Sequence, residues 1–344
     1  MKEIATTEAV GHVLCHDVTQ IIRGEKKGPA FRKGHVIRKD DIPVLLSMGK
    51  DHLYVWEKKE GILHENEAAQ ILCEICRNEY MEPSEVKEGK IELRATVDGL
   101  LKIRKEGMMA VNLLGEMMIA SRHNNTMVKQ GDVLAGTRII PLVIEEEKMK
   151  KAKEAAGGEP LLKLIPIQKK NVGIVTTGNE VYYGRIQDTF TPVVKEKIEE
   201  FGSAVTMECL VGDEKEKIRD AILDMIEKGA QMVVCTGGMS VDPDDRTPGA
   251  IADTGARVVT YGAPVLPGAM LMVAYYKKKD GSEIPVLGLP GCVMYAKRTI
   301  FDLVLPRLLA DDPITREEIA QLGVGGLCLN CPVCSFPNCG FGKA

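Results

Sequence analysis

From residue 171 onwards, blocks of apolar positions alternate with amphipathic segments. Residues 172–175 and 232–235 are short, wholly apolar runs, typical of strands buried on both faces of a sheet. Between them, residues 205–211 predict another strand. Residues 192–201, which end at Gly202, and residues 214–228 have the apolar spacing of helices. Strands that alternate with helices predict a mostly parallel sheet covered by helices on both faces, a three-layer α/β domain.

The pattern changes again near the end of this segment. Residues 271–276 and 284–289 flank Lys279-Asp280-Gly281, which predicts a β-hairpin. Residues 294–309 predict a final long helix.

The first 160 residues are less regular and predict an α+β region. Short strands are expected at residues 34–37, 52–55 and 91–95. Helices are expected at residues 40–48 and 66–79. Residues 145–153 are highly charged and are interpreted as a linker, with helical character left open. We therefore divide the chain into residues 1–160, 161–310 and 311–344.

Composition excludes several classes of protein. Only 4% of the 344 residues are aromatic and the formal net charge is −4, so neither stacking on bases nor attraction to a polyanion is expected. No secretory signal and no apolar run of about 20 residues is present, so we expect a cytoplasmic protein without a membrane partner. The ten cysteines are then expected to be reduced or bound to metal.

Three predicted strand ends carry glycine-rich sequences. They read Thr-Thr-Gly-Asn-Glu (176–180), Thr-Gly-Gly-Met-Ser (236–240) and Gly-Leu-Pro-Gly (288–291). In open α/β sheets, ligands bind at the carboxyl ends of strands, where glycine lets a phosphate approach the backbone. Any one of these glycines is explained by a tight turn, but three such ends in one sheet favour a binding site.

Three aspartates follow the second glycine-rich sequence, namely Asp242, Asp244 and Asp245. Their charges repel one another, and Mg²⁺ bridging a ligand phosphate would neutralise them. The alternative is an exposed turn in which one aspartate caps the helix that starts near Thr247. The two interpretations are balanced for Asp242 and Asp244, and the functional one is favoured for Asp245.

Together these motifs resemble the molybdenum cofactor biosynthesis domain, which molybdopterin adenylyltransferases, molybdopterin molybdenumtransferases and CinA-like proteins share. The resemblance covers about 140 residues and rests on residues 177–180, 236–248 and 288–291. It implies a catalytic acid at Asp245 and places Glu180 on the family's acidic pair. It also implies a set of residues that bind the pterin nucleotide: Thr177, Gly178, Asn179, Gly237, Gly238, Ser240, Pro290 and Gly291. Residues 12–14, 17–18 and 29–31 loosely resemble the first domains of molybdenumtransferases.

Several departures from the family pattern matter. Phe31 is followed by Arg32-Lys33-Gly34-His35, so an aspartate that the family supplies from this region is missing. The family's Pro-Gly-Lys-Pro appears as Pro-Gly-Ala-Met (267–270), and its Leu-Pro-Gly-Asn-Pro as Leu-Pro-Gly-Cys-Val (289–293). Its Asp-Ser-Asn appears as Asp-Thr-Phe (188–190). These changes put molybdate insertion in doubt more than they do pterin binding.

The C-terminal tail carries a separate metal-binding pattern. Cys328, Cys331, Cys334 and Cys339 offer four soft ligands within 12 residues, enough for tetrahedral Zn²⁺ or an iron–sulfur cluster. The close Cys-x2-Cys-x2-Cys run is more like ferredoxin ligation than a zinc ribbon, so iron–sulfur is preferred and zinc stays open.

The resemblance implies an enzyme of late molybdenum cofactor assembly that inserts molybdate into adenylylated molybdopterin with Mg²⁺. Two alternatives stay open. One is a CinA-like hydrolase of a nucleotide pyrophosphate, which Asp-Asp-x-Thr (244–247) resembles, and the other is a pterin carrier or sensor without activity. A small-molecule pterin nucleotide is the expected partner. Self-association and a molybdoenzyme or cofactor-handling partner are left open.

Overall fold

The computed structural model describes residues 2–22, 26–55 and 60–343. Its backbone forms two compact units. Unit 1 comprises residues 1–96, 103–122 and 131–163, and unit 2 comprises residues 97–102, 123–130 and 164–344. No helix among the described residues is long and apolar enough to cross a membrane.

The strands, in chain order, are β1 (Lys2–Ala5), β2 (Val18–Ile22), β3 (Lys26–Phe31), β4 (His52–Val55), β5 (Ile62–His64), β6 (Met81–Pro83), β7 (Lys90–Ala95), β8 (Gly99–Ile103), β9 (Met117–Ser121), β10 (Thr126–Val128), β11 (Val133–Ile139), β12 (Val143–Glu145), β13 (Leu162–Pro166), β14 (Asn171–Thr177), β15 (Ala204–Val211), β16 (Met232–Thr236), β17 (Arg257–Tyr261), β18 (Met272–Lys277) and β19 (Glu283–Leu289).

The α-helices are α1 (Asp41–Ser47), α2 (Glu65–Cys76), α3 (Lys105–Leu113), α4 (Glu146–Ala156), α5 (Asn179–Tyr182), α6 (Phe190–Glu199), α7 (Lys215–Glu227), α8 (Thr247–Asp253), α9 (Ile300–Leu309) and α10 (Arg316–Gln321). Two 3₁₀ turns span Thr6–Glu8 and Gly291–Met294.

Unit 1 is an α+β fold built from small antiparallel sheets. The largest has the strand order β6-β7-β11-β9, and β1 pairs with β4, β2 with β3 and β5 with β12. Predicted strands 52–55 and 91–95 and the helices at 40–48 and 66–79 are confirmed as β4, β7, α1 and α2 within a few residues. The strand expected at residues 34–37 is wrong, since this segment forms only an isolated bridge from Val36 to Val13.

The segment 145–153, interpreted as a linker with helical character left open, is helical and packs within unit 1. This segment is mostly α4, whose Met149, Ala152 and Ala156 are buried. Their three- to four-residue spacing puts one apolar face against unit 1. The high charge of the exposed face hid this pattern in the sequence.

Unit 2 contains the predicted three-layer α/β architecture. Its six-stranded sheet has the order β15-β14-β16-β19-β18-β17, in which the first four strands are parallel and β18 runs antiparallel to both of its neighbours, β19 and β17. The hairpin predicted at residues 271–289 is confirmed as β18 and β19.

Each face of this sheet has its own core, because successive side chains of a strand point to opposite faces. Val172 and Ile174 of β14 belong to the core that contains the apolar residues of α6 and α9. Val175 of the same strand belongs to the core that contains those of α7 and α8.

Helix α9 starts at Ile300, six residues later than predicted. Thr299 accepts a hydrogen bond from Phe301 N, and Asp302 Oδ2 accepts one from Thr299 N in return. This capping box fixes the helix start. Met294, at which the predicted helix began, is instead the last residue of the Gly291–Met294 3₁₀ turn.

The tail packs on unit 2. Ile314, Ile319 and Phe341 are buried in the core that α9 contributes to. The sequence-based division at residue 310 therefore cuts through a packed region.

Candidate functional site

The register of the parallel strands brings the three glycine-rich sequences to one edge of the sheet. Thr176 of β14 pairs with Thr236 of β16, and Thr236 pairs with Leu289 of β19. Because these strands run parallel, the loops that begin at Gly178, Gly237 and Pro290 all leave from this carboxyl edge.

The side-chain hydroxyls of Thr177 and Thr247, which we call the hydroxyl clamp, join the first two of these loops. Thr247 Oγ1 donates to Gly237 O at 2.9 Å, so it accepts from Thr177 Oγ1, which lies 3.2 Å away. Thr247 N also donates to Gly238 O at 3.2 Å. Both threonines are buried, so these bonds are shielded from water.

Gly237 and Gly238 are required by this packing. Their φ angles are +84° and +56°, in the region that favours glycine. A Cβ on Gly237 would lie 2.3 Å from Thr177 O, and one on Gly238 would lie 2.7 Å from Thr247 Oγ1. The structural role of these glycines therefore stands whether or not a phosphate also approaches them.

Gly291 differs from these two glycines. It is exposed, and an added Cβ would meet no atom within 4 Å. Pro290 before it is buried, and its carbonyl oxygen accepts a hydrogen bond from Val293 N. A side chain added at Gly291 would therefore leave the packing unchanged. Its effect on binding would show whether a ligand approaches this predicted binding residue.

Asn179 and Glu180, the residues that fall on the family's acidic pair, begin the short helix α5 after β14. Asn179 N donates to Asp213 Oδ2 at 2.9 Å, and Asp213 N donates to Asn179 Oδ1 at 3.4 Å. Asn179 thus ties its loop to the end of β15, while Glu180 is exposed. The structure leaves Glu180 accessible to a ligand and gives Asn179 a positioning role.

The aspartate loop forms a turn of its own. Asp242 N donates to Asp245 Oδ2 at 3.0 Å, and Asp245 N donates to Asp242 O at 2.9 Å. Asp242, Asp244 and Ser240 are exposed, whereas Asp245 is half-buried. Within the described part of the chain, Asp245 is the one acid of the three whose carboxylate accepts a hydrogen bond.

Tyr261 at the end of β17 supports this loop. Its hydroxyl lies within hydrogen-bond distance of Met239 O and Ser240 O, at 3.0 and 3.1 Å. Burial, together with the negative charge of Asp245, raises the pKa of the Tyr261 phenol. The phenol therefore stays protonated at neutral pH and can donate to the loop.

Sequence reasoning did not find Asp213 or Tyr261 as site residues. Asp213 follows the end of β15, so the rule that ligands bind at strand ends could have pointed to it. Tyr261 ends β17, which runs in the same direction as β19 but is separated from it by the antiparallel β18, so no local pattern links Tyr261 to the loop that it supports.

Thr236 has a buried hydroxyl with no hydrogen-bond partner among the residues that the structure describes. Its neighbour in the register, Thr176, instead pairs with Thr191 of α6 at 2.7 Å between hydroxyl oxygens. A buried hydroxyl without a partner costs about 1–3 kcal/mol. Such a group at the end of a central strand is a feature often seen at functional sites.

Residues 173–310 match the family model described as a probable molybdopterin binding domain. The match covers less than half of the chain and includes all three glycine-rich sequences. The resemblance inferred from the motifs is therefore confirmed for this segment. Residues 3–57 match a second model, described as a domain of unknown function (DUF8806).

Curated relatives match about a third of the chain. A protein of Bacillus cereus (strain AH187) named as a competence-damage inducible protein is 30% identical over 113 residues, which are 33% of this chain and 26% of that protein. A Bacillus anthracis protein of the same name matches with the same values. The chain thus spans about a quarter of the length of these relatives.

Two solved structures resemble part of the chain. The tungsten cofactor synthesizing protein MoaB from Pyrococcus furiosus is 20% identical, with 41% of this chain and 88% of that chain covered and a TM-score of 0.32. The protein CinA from Thermoplasma acidophilum is 18% identical, with 41% and 98% covered and a TM-score of 0.33. Scores this low add no argument to the fold that the sheet order already defines.

No group of three or more His, Cys, Asp or Glu side chains within the described ranges is arranged to hold a metal ion. This applies to Asp242, Asp244 and Asp245 and to the four tail cysteines. Mg²⁺ usually binds through one or two carboxylates together with substrate phosphates and water, so a single positioned carboxylate fits that ion. The metal sites stay predictions.

Proposed function

We propose that the chain binds an adenylylated molybdopterin at the carboxyl edge of the six-stranded sheet. The observation that carries this proposal is the register of Thr176, Thr236 and Leu289, from which three glycine-containing loops leave side by side. The family match of residues 173–310 covers all three loops. Because Thr177 and Thr247 hold two of these loops together, little conformational freedom is lost when a ligand binds.

The proposed reaction is insertion of molybdate into the dithiolene of the pterin, accompanied by cleavage of the pyrophosphate by water, so that AMP leaves and the pterin keeps its own phosphate. Asp245 would hold Mg²⁺ against the pyrophosphate, with Asp242 or Asp244 as an additional ligand. The ion would supply positive charge where negative charge accumulates. Tyr261 and the backbone of Asp242 position the Asp245 loop, and the exposed Glu180 would orient a ligand hydroxyl or a bound water.

A CinA-like hydrolase is the second candidate. It is favoured by the relatives named for competence damage and by the Asp244-Asp245-x-Thr247 sequence, in which Thr247 forms the hydroxyl clamp. Hydrolysis of a dinucleotide pyrophosphate would use the same glycine loops and the same carboxylate. Ala269 and Cys292, at positions where the family has lysine and asparagine, favour a third candidate, a pterin carrier without turnover.

One set of assays separates these functions. The full chain is incubated with adenylylated molybdopterin, molybdate and Mg²⁺, and separately with ADP-ribose and Mg²⁺, and AMP release is measured by chromatography. Molybdate-dependent AMP release from the pterin nucleotide is the expected result. Release from ADP-ribose alone would replace the proposal with hydrolysis, and tight pterin binding without any AMP would replace it with a carrier.

A further inference from the structure

The four tail cysteines share one cavity. Cys328, Cys331, Cys334 and Cys339 all line a space of about 550 Å³ in unit 2. Cysteines that merely occurred close together in the sequence of an extended tail would have no reason to surround a common space. The fold therefore gathers residues whose spacing already indicated metal binding.

The polypeptide around this cavity is held firmly by unit 2. Cys328 N donates to Leu266 O at 2.8 Å, and Leu266 N donates to Gly326 O at 2.8 Å. At the other end of the tail, Phe341 is only 5% exposed and Gly342 packs so closely on Leu303 that a Cβ would lie 2.4 Å from its side chain. The segment that carries Cys328, Cys331, Cys334 and Cys339 is thus anchored on both sides.

The sequence spacing of the cysteines favours a cluster over a single ion. The Cys-x2-Cys-x2-Cys run is typical of iron–sulfur ligation, whereas zinc sites commonly use two pairs of ligands that are well separated along the chain. All four cysteines line the same cavity. Four cysteine thiolates are the ligands that hold an iron–sulfur cluster, so the residues that line this cavity fit that group.

Two cationic residues, Lys297 and Arg298, line another side of the cavity. Lys297 Nζ donates to Pro332 O at 3.3 Å, and the Arg298 guanidinium lies 5.0 Å from the ring centroid of Phe336. Both cations line the cavity. Four thiolates bound to a cluster leave a net negative charge, which these cations would offset in a partly apolar setting.

We infer that Cys328, Cys331, Cys334 and Cys339 bind a [4Fe–4S] cluster. The Cys-x2-Cys-x2-Cys run supplies three closely spaced ligands, as in bacterial ferredoxins, and Cys339 supplies the fourth after four further residues. This site does not rest on the proposed pterin function. Its wall at residues 295–298 nevertheless follows directly after the Gly291–Met294 turn, so the cluster borders a loop of the candidate pterin site.

The test uses the full chain, reconstituted anaerobically with Fe²⁺ and sulfide. About four irons and four acid-labile sulfides per chain are expected, with broad absorption near 400 nm that fades on exposure to air. Cys331→Ser is the main variant, because Cys331 is exposed and its replacement leaves the core unchanged. It should lose at least half of the bound iron, whereas Cys209→Ser on β15 should retain all of it.

Circular dichroism spectra establish that both variants fold. One zinc per chain with no sulfide, lost in Cys331→Ser, would overturn the cluster in favour of a single ion. Reconstituted wild-type chain without iron, or with iron that Cys331→Ser and Cys334→Ser both retain, would overturn the site itself.

Discussion

The hydroxyls of Thr177 and Thr247, 3.2 Å apart, connect the end of β14 to the start of α8. Since Thr247 also donates to Gly237 O, the three residues form one chain of hydrogen bonds across two strand ends. The clamp couples the loops that would hold the two sides of a pterin nucleotide.

Asp245→Asn should reduce AMP release from the pterin nucleotide by about 10²–10³-fold, which corresponds to roughly 3–4 kcal/mol. The amide oxygen can still accept from Asp242 N, so the melting temperature should change little. Asp224→Asn on the exposed face of α7 is the matched control and should keep full activity. Steady-state rates, with a melting curve for each variant, show whether Asp245 acts in the reaction or only in the fold. Full activity in Asp245→Asn would leave Asp245 as a turn residue only.

Gly237→Ala and Gly291→Ala should differ sharply in stability. The first places a Cβ 2.3 Å from Thr177 O at a φ of +84°, and we expect it to lower the free energy of unfolding by about 2–3 kcal/mol. The second meets no atom and should change it by less than about 0.5 kcal/mol. Urea unfolding measures both. Weaker pterin binding in the stable Gly291→Ala variant would then show that the ligand contacts Gly291. Unchanged binding would exclude a close contact at this residue.

Thr176→Val and Thr236→Val form a second matched pair, because the two threonines face each other in the register of β14 and β16. Valine at 176 leaves the buried Thr191 hydroxyl without its partner and should cost about 1–3 kcal/mol. Valine at 236 removes a hydroxyl that has no partner among the described residues and should be neutral or stabilising. Equal losses in both variants, measured by urea unfolding, would mean that Thr236 has a partner such as a bound water.

The tail should loosen at low pH through Glu318 of α10. Desolvation alone would raise the pKa of this carboxyl, but bonds from the Arg307 guanidinium at 2.8 and 2.9 Å and from Thr315 N outweigh it and lower the pKa. A lowered pKa in the folded state stabilises the protein above the unfolded-state value of about 4.3. That stabilisation is lost as the pH falls through the folded-state value.

Glu318→Gln removes this contribution and should reduce the free energy of unfolding at pH 7 by about 1–2 kcal/mol. The difference from the wild type should shrink progressively below pH 4.5, as the wild-type carboxyl becomes protonated. Glu317→Gln is the control, since Glu317 is adjacent to Glu318 in the sequence and its own side chain is exposed. A difference that is constant from pH 7 to pH 3 would contradict the electrostatic explanation.

The amino-acid sequence by itself determined the α/β half of this chain. Residues 172–175 and 232–235 are apolar at every position because both faces of their strands are buried, and this feature is visible without any partner. The Cys-x2-Cys-x2-Cys spacing is likewise visible in the sequence without knowledge of the fold. The packing of helix α4 was not predicted, because only three of its residues are buried and their contacts come from other parts of unit 1.

The tertiary structure alone decided which groups meet. Asp213 and Tyr261 join the candidate site from strands that are distant in sequence, and Gly238 is needed because Thr247 packs against it. The tail cysteines surround one cavity because Leu266 and the core beneath Phe341 anchor the chain on either side. A local sequence pattern shows that a segment is buried, because buried positions recur at regular intervals along a helix or strand. The identity of a contact partner depends on how strands are ordered and paired, which no single segment encodes.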